Sequence, residues 1–83
     1  MAIAGLLVHT LKENLEDVER QIRSMPGMTT YGIHQDQYVV VVVEAPSDQM
    51  ETQVDRINNL EGVLTIYTTY VTVEDELSGT DDR

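Results

Sequence analysis

The spacing of apolar residues along this chain switches between two periods. Ile3 to His9 is a short run rich in β-formers. Leu11, Leu15, Val18, Ile22 and Met25 then recur at spacings of 4, 3, 4 and 3, which predicts one stripe of a helix. Thr10 with Glu13 three residues on has the form of a capping box, where each side chain satisfies a backbone donor at the helix start. Pro26-Gly27 stops the helix. Met28 to His34 reads as a second strand, Gln35-Asp36-Gln37 as a polar hairpin turn and Tyr38 to Ala45 as a third strand. Pro46-Ser47-Asp48 breaks the chain, and Asp48 with Glu51 repeats the capping pattern, with Ser47 or Asp48 as the cap. Met50, Val54, Ile57 and Leu60 give a second stripe, Glu61-Gly62 ends it, and Val63 to Val73 is the last strand.

The two halves are alike. Adding 35 to a residue number maps Leu6 to Val41, Val8 to Val43, Leu15 to Met50 and Ile22 to Ile57. The same shift maps Met25 to Leu60, Gly27 to Gly62, Met28 to Val63 and Thr30 to Thr65. Val18 breaks the match, since it lands on Gln53 with Val54 one place off. A doubled βαβ unit of this size predicts an α+β, ferredoxin-like βαββαβ fold: a four-stranded antiparallel sheet, order 4-1-3-2, with both helices on one face.

The third strand is the most informative. Val39 to Val43 is an unbroken run of valine, whereas a sheet covered on one side should alternate apolar and polar residues. Val39, Val41 and Val43 pair through the repeat with Leu6 and Val8 and are expected to face the helices. Val40, Val42 and Leu7 then point to a face that no element of the chain covers. Tyr38, Glu44, Gly5, His9, Tyr67 and Thr69 complete that open face. An apolar centre with a polar rim on an uncovered sheet predicts a binding surface. The pattern leaves open whether a second copy of the chain or a foreign ligand occupies it.

Charge and composition narrow the partner. The 83 residues carry 5 Lys plus Arg against 15 Asp plus Glu, a net charge of −10, which repels phosphate backbones and anionic lipid heads and makes nucleic acid and membrane surfaces poor partners. Glu74 to Arg83 holds five acids and one large apolar residue, Leu77, and cannot repay the entropy of ordering. Residues 1–73 are therefore read as the domain and 74–83 as an acidic, disordered tail. Cysteine is absent, which removes disulfides, thiolate chemistry and Cys-based metal sites. The apolar stretch Ile3 to Val8 is too short for a signal peptide and lacks a basic lead, and no window is long enough to span a membrane. The expectation is a cytoplasmic domain.

Chemistry-bearing constellations are sparse. His9 and His34 are the only histidines, and the third strand should separate them by roughly 10 Å, too far for a shared metal without other ligands. Glu13, Glu16, Asp17, Glu19, Glu51 and Asp55 mostly lie off the apolar stripes and read as solvated helix faces. Gly27 and Gly62 are single stop signals, far from any phosphate-binding loop. No catalysis, cofactor or metal is expected.

Several segments together resemble the NapD family, cytoplasmic chaperones of periplasmic nitrate reductase. They are Leu6-Leu7-Val8, Pro26-Gly27, Val41-Val42-Val43-Glu44-Ala45 and Leu60-Glu61-Gly62-Val63-Leu64, with Thr69-Tyr70 near the end of the last strand. The resemblance covers about residues 3–76, in order and with matching loop lengths. The family usually follows that Tyr with His or Glu, whereas Val71 stands here. The resemblance implies binding of the twin-arginine signal peptide of the nitrate reductase catalytic subunit, as a helix on the sheet, which holds the precursor back from export until its cofactor is installed. Leu7, His9, Val40, Val42, Glu44, Tyr67 and Thr69 are the residues expected to contact it, with Glu44 favouring the arginines. Two rival readings are a ligand-sensing, oligomerising module of the Lrp-regulator type and a small dimeric ferredoxin-like oxygenase. The first would pair sheet to sheet, and the second would need a polar pocket that the sequence does not supply.

Overall fold

The computed structural model describes residues 1–73, so the acidic segment 74–83 lies outside the described residues. The elements run β1 (Ala2–Thr10), a single 3-10 turn (Lys12–Asn14), α1 (Leu15–Arg23), β2 (Met28–His34) and β3 (Tyr38–Ala45). A second 3-10 turn (Ser47–Gln49), α2 (Met50–Asn58) and β4 (Val63–Val73) follow. The strands form one antiparallel sheet in the order β2-β3-β1-β4, with both helices packed on one side, as the doubled pattern predicts.

The core between sheet and helices is built from aliphatic side chains and methionine. Leu6 and Val8 of β1 and Val39, Val41 and Val43 of β3 are essentially inaccessible, and Val18 and Ile22 of α1 and Ile57 of α2 close over them. Met25, Met50, Val54, Leu60, Val63 and Ile66 pack around this centre. The valine run thus divides as alternation requires, with its odd-numbered members inside. The two helices contribute unequally: α1 buries Leu15, Val18 and Ile22, whereas α2 fully buries Ile57 alone. The difference begins where the internal repeat breaks. Gln53 takes the place of Val18, and its Oε1 is buried with no hydrogen-bond partner among the described residues.

The helix starts differ from the capping-box expectation. Thr10 is the last residue of β1 and is buried, its N–H donating to the Gln37 carbonyl at 2.9 Å and its hydroxyl to the Leu11 carbonyl at 3.0 Å. Sheet pairing has taken the residue that would have capped. The chain then enters α1 through the 3-10 turn, and neither Leu11 before that turn nor Asn14 before the helix makes a side-chain cap bond. Leu11 is 42% exposed, outside the stripe assigned to it. At the second helix Asp48 lies inside the turn, not ahead of it, and neither Pro46 nor Gln49 makes a side-chain cap bond.

Loops hold the layers in register. Gly27 and Gly62 are repeat counterparts, each turning the chain from helix to strand with φ of +76° and +94°, a region that side chains disfavour. A Cβ on Gly27 would also meet the Glu44 carbonyl, whose N–H donates to the Gly27 carbonyl at 2.8 Å. Gln35 and Asp36 both have positive φ, which gives the hairpin the twist that matches its strands. Between α1 and β2, Glu19 accepts hydrogen bonds from Arg23 and from the Thr30 hydroxyl, the latter at 2.7 Å. These bonds, that from Arg23 first, hold the Glu19 carboxyl below its ordinary value of 4.5.

Candidate functional site

The sheet face away from the helices is uncovered, and the register shows which residues occupy it. Leu7 pairs with Val40, Gly5 with Val42, Ile3 with Glu44 and His9 with Tyr38. Leu7, Val40 and Val42 form a half-buried apolar strip on the two central strands, while Glu44 is exposed. Tyr67 pairs with Leu7 on the other side and is 52% exposed. Six of the seven expected contact residues therefore lie where strict alternation puts them.

Thr69 reaches the face by another route. A bulge lies between Gly5 and Leu6, so that Leu6 pairs with Thr68, Gly5 with Tyr70, and Thr69 is the extra residue. The bulge shifts the parity of the rest of β4 and brings Tyr70 onto the open face. Its ring lies over Gly5, and a Cβ at that glycine would collide with it and come within 2.7 Å of the Thr69 hydroxyl. Tyr70 is a site residue that sequence reasoning missed, because alternation from Tyr67 places it on the opposite side. Val71 falls with Ala4 on the helix side, so its departure from the family pattern does not alter the open face.

Tyr38, Tyr67, Tyr70 and both histidines lie on this face. The chain has four Tyr, two His and neither Phe nor Trp. His34, Tyr38, His9 and Tyr67 supply one ring from each of the four strands at the β2–β3 hairpin end. Tyr38 is central, with ring centroids 4.9 Å from His9 and 6.4 Å from both His34 and Tyr67. A Tyr ring offers large apolar area and a polar tip, which suits a surface that is wet until a partner covers it. The two histidines stand on opposite sides of Tyr38, and among the described residues no group of three or more His, Asp or Glu side chains could hold a metal ion.

Charge on the strands is one-sided. Glu44 is the only formally charged residue on the four strands, and Lys12, Arg20, Arg23 and Arg56 all lie in the helical layer. The exposed pairs Arg20–Asp17 and Arg23–Glu19 engage two of these cations within α1. A concavity of about 440 Å³ lies on the helix side, between the start of α1 and the β2–β3 hairpin. It is lined by Lys12, by the carboxylates of Glu13, Glu16, Asp17 and Asp36, and by Leu15 and Ile33. No helix among the described residues is long and apolar enough to cross a membrane.

Known proteins share this architecture. The solution structure of the E. coli Tat proofreading chaperone protein NapD superposes with a TM-score of 0.76 at 25% identity, covering 98% of this chain and 87% of that one. A hypothetical protein from Pyrococcus horikoshii matches at a TM-score of 0.72 and 18% identity, over 88% of this chain and 90% of that one. FFRP-DM1 matches at 0.73 and 18% identity, over 88% of this chain and 100% of that one; these two likenesses speak to fold alone. No curated protein matches this sequence. The model of the NapD protein family, however, matches residues 1–75, nearly the whole chain. The chain belongs to the NapD family.

Proposed function

We propose that this protein is a non-enzymatic chaperone that binds the twin-arginine signal peptide of a periplasmic nitrate reductase catalytic-subunit precursor. Binding holds the precursor on the cytoplasmic side until its cofactor is inserted. The observation that carries this reading is the open sheet face: an apolar strip of Leu7, Val40 and Val42, flanked by Tyr67 and Tyr70, with one carboxylate and no cation on the strands. An amphipathic helix laid on this strip buries its apolar side, the helix-in-groove mode of recognition. Glu44 and the net charge of −10 favour arginine over acidic ligands and speed the encounter. His9 and Thr69 lie beside the strip and complete the proposed contact set with Tyr67. Family membership and the proofreading role of the E. coli relative support the same reading.

Calorimetric titration tests it. The full chain should bind a peptide carrying the twin arginines more tightly than the same peptide with both changed to Gln. Equal heats for the two would remove the arginine part. A stable dimer that ignores both peptides would favour the sensor reading of the Lrp type.

A further inference from the structure

The half of β4 from Tyr67 onward is an outer strand of the sheet that is bare on both sides. Residues 67–72 are all exposed, although Thr68 and Val71 stand on the side that carries the helices, Val71 at 55%. The cause is a mismatch of lengths. The 9 residues of α2 make about 14 Å of helix and the 11 residues of β4 extend about 36 Å, so the helix cannot cover the strand. No charged residue, proline or glycine interrupts Val63–Val73, and these are the residues by which an exposed edge keeps other strands away. Bulges break the pairing of β4 at the Gly5/Leu6 and His9/Thr10 steps, but Tyr70 to Val73 run unbroken against Gly5 to Ala2. The opposite edge, β2, is irregular instead: its pairing with β3 skips Tyr31 and Gly32, the glycine at φ +107°.

We propose that β4 is a self-pairing edge: two copies of this chain join antiparallel along it, Val71 nearest the two-fold axis, into one eight-stranded sheet. The free backbone donors and acceptors of an edge call for another strand, and charge selects which. At −10 per copy, contact through the acid-bearing helical layer sets carboxylates against carboxylates, whereas β4 carries none to repel a second copy and none to attract a basic segment. With the axis at Val71, the two Val71 side chains meet on the helix side, and Tyr70 of each copy meets Thr72 of the other on the open side. Cross-strand pairs of this kind stabilise sheets. The acids that follow Val73 in the sequence then start at opposite ends of the seam. The axis is normal to the sheet, so both open faces lie on one side and stay uncovered, unlike the sheet-to-sheet pairing of a sensor module. This goes beyond the signal-peptide reading and does not depend on it. The seam is short, well under the roughly 1,200 Å² that stable interfaces bury, so the dimer is a reversible one.

Sedimentation velocity of the full chain from about 10 μM to about 1 mM should show monomer passing to dimer, with more dimer at high salt, which screens the net charge. Val71→Lys makes each copy less negative overall, yet it sets two ammonium groups together at the axis. It should raise the dissociation constant at least about tenfold, with circular dichroism unchanged at so exposed a position. Tyr31→Lys, on the β2 edge, should leave the constant as it is. Because the chain has no cysteine, Val71→Cys should give a disulfide-linked dimer on mild oxidation. Leu64→Cys, also exposed on β4, should not, since antiparallel pairing carries the two Leu64 positions to opposite ends. A monomer at every concentration and salt overturns the proposal and leaves this edge to a strand of another protein. A dimer that survives Val71→Lys but is lost with Tyr31→Lys or Val42→Lys overturns it too, by placing the contact at β2 or face to face. Crosslinking through Leu64→Cys in preference to Val71→Cys overturns the antiparallel seam. Peptide binding by a chain that stays monomeric would sink the dimer alone and leave the signal-peptide reading standing.

Discussion

The ring of Tyr70 occupies the space that a side chain at residue 5 would fill: Gly5 and Tyr70 are cross-strand partners, and Tyr70 Cδ1 lies 2.7 Å from where a Cβ on Gly5 would stand. One glycine on a central strand thus lets an edge-strand tyrosine lean inward over the sheet. Leu7 and Val42 flank this ring along the strand and across it. The wall of the proposed groove on its β4 side depends on a missing side chain.

This pair predicts non-additivity. Gly5→Ala in the native chain should cost about 1 kcal/mol or more, because the methyl displaces the ring and crowds the Thr69 hydroxyl. In a Tyr70→Ala background the same change should cost clearly less, since only the Thr69 hydroxyl then stands in the way of the methyl. Urea unfolding of the four chains checks it. Equal costs in both backgrounds would mean that the ring does not rest on Gly5.

The two faces of β3 should separate by mutation. Val41 is inaccessible, and Val41→Asp places an unpaired charge between sheet and helices, which costs several kcal/mol and unfolds so small a domain. Val42→Asp points the other way and should leave a folded protein whose peptide binding falls by more than about 1 kcal/mol. The new carboxylate attracts arginine, so a loss must come from the apolar strip. Circular dichroism and a peptide titration on both variants read the result. Normal folding and normal binding by both would place the site elsewhere.

Acid should weaken the clasp between α1 and β2. The folded Glu19 carboxyl sits below its ordinary value of 4.5, first because Arg23 donates to it and then because Thr30 does. Its contribution is therefore fully present above that ordinary value and is lost as pH falls through the lower folded one. Glu19→Gln should be less stable than the native chain at pH 7 by about 1 kcal/mol, and the gap should close in strong acid. Thermal unfolding across this range tests the sign. A gap that widens on acidification would contradict it.

Gln53 offers a gain. Its buried Oε1 has no partner among the described residues, and its counterpart in the repeat is the fully buried Val18. Gln53→Leu should raise unfolding stability by about 1 kcal/mol, by removing an unpaired polar atom and enlarging the apolar side of α2. A lowered urea midpoint would show that the amide has a use.

Local pattern by itself determined the order of elements, the sheet and the face assignment of β3. These follow from periods of about two and 3.6 residues, which are properties of each segment alone. The +35 repeat then left one reasonable way to pair the strands. Leu7, His9, Val40, Val42, Glu44 and Tyr67 were legible as one surface for the same reason. What only the tertiary structure decided lies where segments compete for the same group or fall out of step. Thr10 could cap a helix or end a strand, and pairing beside Gln37 chose the strand. The parity of β4 beyond Thr68 depends on a bulge against Gly5, which no spacing within β4 records. A bulge is a mismatch between two strands, and Tyr70 joins the open face because β1 offers it a glycine to lie on.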